Sequence, residues 1–206
     1  MFTFNNGLYL KNGSFVECDC KEELPKFAKD NEIFAEISQY LAEILPKHAH
    51  HLSDILFHTT VKPKIFYLIG SKGGKSTFMN LLELAFGEEY FATCTRNDIL
   101  QDKRVVYIPK IKEVDMKMIM LANEPDQLFK FVDNAAYFIT CRGGPYLIPN
   151  SIVLEFPKHF VKSDDKRIGD SKRHIAIDPN ISAKIKNWAP HFCSYLANEH
   201  KKRIVE

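Results

Sequence analysis

Apolar positions change their period along this chain, and the changes mark its elements. From Phe2 to Val16 apolar and polar residues alternate around the pairs Asn6-Gly7 and Asn12-Gly13, the pattern of a small hairpin with tight turns. From about Glu22 to Phe57 the period lengthens. Phe34, Ile37, Tyr40, Leu41, Ile44 and Leu45 recur at helical spacing until Pro46, which predicts a helical layer. Ile65-Phe66-Tyr67-Leu68-Ile69, bounded by Pro63 and Gly70, is a short run of β-formers that predicts a buried strand. Glycines come at once after it. Phe78, Leu81, Leu82, Ala85 and Phe86 then fall on one face before Gly87, the signature of a helix of about three turns with a glycine stop.

Three more strands are predicted at Val105 to Ile108, Ala135 to Thr140 and Ile152 to Phe156, and a last amphipathic helix at Ile181 to Leu196, interrupted by Pro190. Lys162 to Arg173 reads as a polar loop. This alternation predicts an α/β fold with a central, mainly parallel sheet. Residues 1–62 form a hairpin and helical segment ahead of it, and residues 63–206 form the core with its C-terminal helices.

Composition narrows the class without naming a function. A length of 206 residues suits one domain, and 45% hydrophobic with 26% charged residues excludes disordered and fibrous chains. The formal charge of +2 argues against a surface that coats nucleic acid by charge alone. Five cysteines (Cys18, Cys20, Cys94, Cys141 and Cys193) are odd in number and scattered, as expected of free thiols in a reducing compartment. No targeting signal follows Met1, and no apolar run approaches the ~20 residues of a membrane span, so the expectation is a soluble, intracellular protein without membrane contact.

Chemistry concentrates at Gly70-Ser71-Lys72-Gly73-Gly74-Lys75-Ser76-Thr77. Small residues let backbone N–H groups close around phosphate oxygens. Lys75 is placed to reach the β- and γ-phosphates, Ser76 to hold Mg²⁺ through its hydroxyl, and the helix behind to point its N-terminus at the same anion. A strand before the loop and an amphipathic helix after it lift the motif above a bare Gly-Lys-Ser. Gly70 and Gly74 enclose three residues where the usual pattern has four, so the loop is either one residue shorter or begins at Ile69.

Hydrolysis needs a carboxylate from a second strand end, to support Mg²⁺ and polarise water. Val105 to Ile108 runs into Pro109-Lys110-Ile111-Lys112, and Glu113 and Asp115 in the loop beyond are the catalytic candidates; solvated loop residues are the competing account. His48, His50, His51 and His58 lack the spacing of a metal site and suit a polar helix end. Arg167, Lys172, Arg173 and His174 form a basic stretch that could reach phosphate, against the plainer reading of a solvated surface. Trp188 and Phe192, at i and i+4, read as core rather than as a platform for bases.

Taken in order, several stretches resemble the poxvirus-type primase-helicases of large DNA viruses, phages and mobile elements, a branch of the superfamily 3 helicases with an AAA+ P-loop NTPase core. These are the opening Asn6 to Gly13 turn, Tyr67 to Leu82 with its Gly-Lys-Ser-Thr-Phe, Ile152 to Val161 with Phe-Pro and Phe-Val, and Asp178-Pro179 ahead of the last helix. The resemblance implies ATP and Mg²⁺ as cofactors and ATP-driven movement on nucleic acid, single-stranded DNA first. It also implies a homo-oligomer, with a hexameric ring the family's form, and a separate primase as a candidate partner. Departures fall on catalysis. Lys110 stands near the second acidic motif, Cys141-Arg142 stands where a strand ending in asparagine senses the γ-phosphate, and Tyr146 to Asn150 replaces an arginine pair. A nucleotide-binding replication scaffold without turnover is therefore the alternative, and a small-molecule P-loop kinase a third reading.

Overall fold

The computed structural model describes residues 2–3, 8–11, 14–17, 30–47, 49–53, 55, 64–94, 103–111, 135–141, 151–168 and 173–205. Three short strands, β1 (Phe2–Thr3), β2 (Leu8–Lys11) and β3 (Ser14–Glu17), pair antiparallel in the order β1-β2-β3. The expected hairpin thus gains a third strand.

Helix α1 (Asn31–Ile44) begins where Asp30 accepts hydrogen bonds from the amides of Glu32 (3.0 Å) and Ile33 (3.2 Å), satisfying two donors that the first turn leaves unpaired. Its stripe of Phe34, Ile37, Tyr40, Leu41 and Ile44 is buried, and it stops at Leu45, ahead of Pro46. A 3₁₀ turn follows at Ala49–Ser53.

The central sheet contains β4 (Lys64–Ile69), β5 (Phe91–Thr93), β6 (Val105–Ile111), β7 (Ala136–Cys141) and β8 (Ile152–Glu155) in the spatial order β5-β6-β7-β4-β8. Every pairing is parallel. Parallel sheets require cover on both faces, and β4 and β7 carry unbroken apolar runs for that reason: Phe66, Tyr67, Phe138 and Ile139 are all buried. Alternate residues face the helices. Phe66 stacks on Phe138 at 4.8 Å, and Phe78 of helix α2 (Lys75–Tyr90) meets Phe138 and Phe156 edge-on or tilted at 6.1 and 5.9 Å. Gly87 leaves the helical region at φ 68°, so the glycine stop sits where the sequence places it, and one further turn runs into β5.

Beyond β8, two short strands missed by the pattern, β9 (His159–Val161) and β10 (His174–Ala176), pair parallel as a separate ribbon. Three-residue strands carry too little alternation to be legible. The last helix, α3 (Ile181–Val205), departs from expectation by running through Pro190. A proline inside a helix removes one hydrogen bond and costs about 3 kcal/mol. The surrounding turns bury Trp188, Ala189, Phe192, Cys193 and Leu196, enough apolar surface to outweigh that loss. These side chains share one core with α1, α2 and the helix-facing side of the sheet.

Strand order reverses at β4. The chain leaves β4 for β5, returns through β6 to β7 on one side of β4, and then adds β8 on its other side. Ligands of open α/β sheets bind at the carboxyl ends of strands at such a switch point, and the glycine loop leaves the carboxyl end of β4 there.

Candidate phosphate-binding site

Ile69 is the last strand residue: it pairs with Glu155, and its carbonyl accepts from the Phe156 amide at 2.9 Å. The loop therefore begins at Gly70, and five residues, 70–74, connect β4 to α2. Three of them need unusual backbone. Gly70 (φ 124°) and Gly74 (φ 86°) occupy conformations that suit glycine, and Lys72 adopts φ 54° without that freedom.

Gly73 is required by contact rather than by angle. A Cβ there would lie 2.7 Å from Phe156 Cβ, 2.8 Å from the Phe156 carbonyl oxygen and 2.9 Å from that of Lys158. Two of these neighbours are backbone, so the loop itself must move. Gly73→Ala is expected to destabilise the fold by about 1–3 kcal/mol, the range for forcing an extra carbon into packed structure. A thermal melt indistinguishable from wild type would show that the loop is not pinned against Phe156.

Helix α2 starts at Lys75 without a side-chain cap, and its first ladder bond runs from the Phe78 amide to the Gly74 carbonyl at 2.8 Å. The amides of Lys75, Ser76 and Thr77 thus have no intrahelical acceptor and point out of the N-terminus, where partial positive charge accumulates. Lys75 Nζ donates to the Gly70 carbonyl, which folds the ammonium over its own loop, and partial burial lowers its pKa. Ser76 is exposed at the helix start and Thr77 is half-buried, and both line the opening.

The loop opens on a cavity of about 580 Å³ between α1, α3 and the segment following β10. Helix α1 contributes Glu36, Gln39, Tyr40 and Glu43, one i, i+3, i+4, i+7 stripe beside its core stripe. Helix α3 contributes Ile181, Lys184 and Trp188 in the same manner. Trp188 Nε1 donates to Glu36 Oε2 at 2.7 Å, and its ring lies 5.2 Å from that of Tyr40, so the two helices close one end of the cavity. Trp188 is core, as expected, and it is cavity wall as well. Tyr40 Oη is buried without a hydrogen-bond partner among the described residues, and burial, then Glu43, raises its pKa. At the mouth Lys184 binds Asp178 at 2.8 Å, a hydrogen bond that lowers the aspartate's pKa.

On the loop's tip, Ser71 Oγ and His159 Nε2 share a hydrogen bond at 3.2 Å. His159 reaches it from β9, whose next residue, Phe160, donates its amide to the Lys72 carbonyl at 3.0 Å. The stripe on α1 and His159 were both missed by sequence reasoning. The stripe was visible as polar residues at helical spacing; no local signal marked His159, which is 88 positions from Ser71.

Residues 70–77 thus form the turn out of β4 and the first residues of α2. Glu113 and Asp115 lie outside the described residues, as do Arg142, residues 146–150, His48, His58, Lys172, Cys18 and Cys20. Strand β6 is longer than expected and ends at Ile111; its register shifts between Ile108 and Ile111, around a Pro109 that offers no amide to the ladder. Arg167 is held by Asp165 through N–H bonds of 2.8 and 2.5 Å, which occupies that cation of the basic stretch. Among the described residues no group of three or more His, Cys, Asp or Glu could hold a metal, and no helix is long and apolar enough to cross a membrane.

No family model matches the sequence, and no curated protein matches it either. Among solved structures the chain is similar to the A form apo structure of the NrS-1 C-terminal region, with TM-score 0.52 and 15% identity over 93% of this chain and 51% of that one. A second structure of that region, spanning 305–718, gives TM-score 0.51 and 14% identity over 93% and 52%. The chain therefore spans about half the length of the structures it matches, and at these identities the likeness shows a shared fold.

Proposed function

We propose that the chain binds a nucleoside triphosphate with Mg²⁺, its phosphates on residues 70–77 and its nucleoside between α1 and α3. One observation carries this reading: a five-residue glycine loop and an uncapped helix N-terminus, with Lys75 between them, open directly on a cavity of nucleotide size. In this reading Lys75 neutralises the β- and γ-phosphates and Ser76 holds the metal, which supplies charge neutralisation across the phosphates when bound. Tyr40 Oη, which has no partner among the described residues, takes a hydrogen bond from the nucleoside.

The finer reading is an ATPase of the superfamily 3 helicase kind, acting on single-stranded DNA in replication of a virus or mobile element as a homo-oligomeric ring, with Glu113 or Asp115 as its catalytic carboxylate. The motif resemblance supports it, and the shared fold agrees with it. A second reading, binding without turnover, is favoured by β6: Val105–Ile111 contains no carboxylate, and Lys110 stands near its end. Titration with a fluorescent ATP analogue and Mg²⁺ tests the common part. Saturable binding competed by unlabelled ATP is expected, and no affinity for any nucleoside triphosphate would sink the proposal. Hydrolysis stimulated by single-stranded DNA would then select the helicase; tight binding without phosphate release would select the scaffold.

A further inference from the structure

The glycine loop has one residue fewer than the usual pattern, hence one amide fewer for a phosphate, and its tip is shaped from outside. The Lys72 carbonyl is tied to the Phe160 amide, and the Ser71 hydroxyl to the His159 ring. Successive strand residues point to opposite sides, so Phe160 lines the cavity while His159 holds the loop's other side. Resting on the nucleotide-binding reading above, we propose that His159 is a positioning residue of the phosphate site: by donating to Ser71 Oγ it turns the Ser71 proton toward the triphosphate, replacing the missing amide.

Proton counting decides what the pair can do. A serine hydroxyl has one proton and two lone pairs. When His159 Nε2 carries no proton, Ser71 donates to it, and only lone pairs remain for the phosphate side, which repel an anion. When Nε2 carries a proton it donates to Oγ, and the Ser71 proton is free to bond a phosphate oxygen. Neutral imidazole samples both arrangements according to tautomer, whereas imidazolium permits only the second and adds a positive charge. Binding of the triphosphate is thereby linked to proton uptake at His159.

The surroundings set how strongly. Lys72 stands beside Ser71 in the loop, and Lys158 precedes His159. On β10, His174 faces His159 in register with its ring 5.5 Å away, and the Arg173 carbonyl accepts from the His159 amide at 2.7 Å. Asp165 and Arg167, from the turn between the two strands, are paired with each other. A bound triphosphate brings negative charge to this pair and so favours the arrangement in which the ring donates to Ser71.

The test is ATP affinity, with Mg²⁺, of the wild-type chain, His159→Gln, His159→Ala and Ser71→Ala at about pH 6 and about pH 8, the interval in which histidine changes charge. Wild type is expected to bind roughly 3- to 10-fold tighter at the lower pH, the scale of one hydrogen bond of ordinary net strength, because the neutral ring already samples the donating tautomer part of the time. His159→Gln, whose amide donates to Ser71 at both pH values, should lose that difference and keep affinity within a few-fold of the wild type's tighter value. His159→Ala and Ser71→Ala should bind weakly at both. Because the ligand's own protonation is common to all four proteins, the contrast between wild type and His159→Gln is what counts. Equal pH profiles in these two, with binding intact, overturn this inference alone. No ATP binding by the wild type at either pH overturns the nucleotide-binding reading and this inference with it.

Discussion

Lys75→Ala is expected to weaken ATP binding by about 10- to 100-fold while leaving the fold intact. A hydrogen bond to a charged group contributes about 1.5–3 kcal/mol, and each 1.4 kcal/mol is tenfold in affinity. The ammonium sits at the first position of α2, folded over the loop by its bond to the Gly70 carbonyl. Burial lowers its pKa, which means the site strains the charged form and a triphosphate would relieve it. Stability should change little. Losing the bond to Gly70 removes about 0.5–1.5 kcal/mol, a few degrees of melting temperature for a chain of this size. Lys75→Arg should not rescue, because a planar guanidinium cannot occupy the position of a compact ammonium. Isothermal titration settles the matter: an alanine variant binding as tightly as wild type would show that the loop is a structural turn.

That prediction rests on the most legible part of the sequence. A run of β-formers, a glycine cluster and an amphipathic stretch declare β4, the loop and α2 through local chemistry alone, and the structure places all three there. The parallel sheet was legible in class, because strands alternated with helical stretches, but not in order; nothing local says that β8 joins β4 rather than the far edge. Pro190 misled because propensity acts on one residue while burial acts on the whole face of α3. The cavity was illegible for a related reason. Glu36, Tyr40 and Trp188 each follow ordinary helical spacing, and only the packing of α1 against α3, 152 positions apart at the Glu36–Trp188 bond, makes them one wall. His159 belongs with them: a lone histidine acquires meaning only when β9 carries it to Ser71.

Trp188→Ala is the substitution expected to affect both fold and ligand most. The side chain is 3% exposed, packs on Tyr40 and joins the two helices that bound the cavity. Truncating a buried tryptophan costs about 3–5 kcal/mol, which lowers the melting temperature by on the order of 10 °C for a chain of this length. Trp188→Phe separates the contributions. It keeps a buried six-membered ring but gives up the fused five-membered ring together with the bond to Glu36, whose exposed carboxylate returns to water, so a loss of about 1–2 kcal/mol is expected. Ligand binding separates them further. Opening this wall should weaken ATP, which has a nucleoside to lose contact, and leave inorganic pyrophosphate unaffected, whereas Lys75→Ala should weaken both. If pyrophosphate and ATP fall in parallel when Trp188 is truncated at a temperature where the variant is folded, the cavity does not hold the nucleoside, and the base must lie elsewhere around the loop.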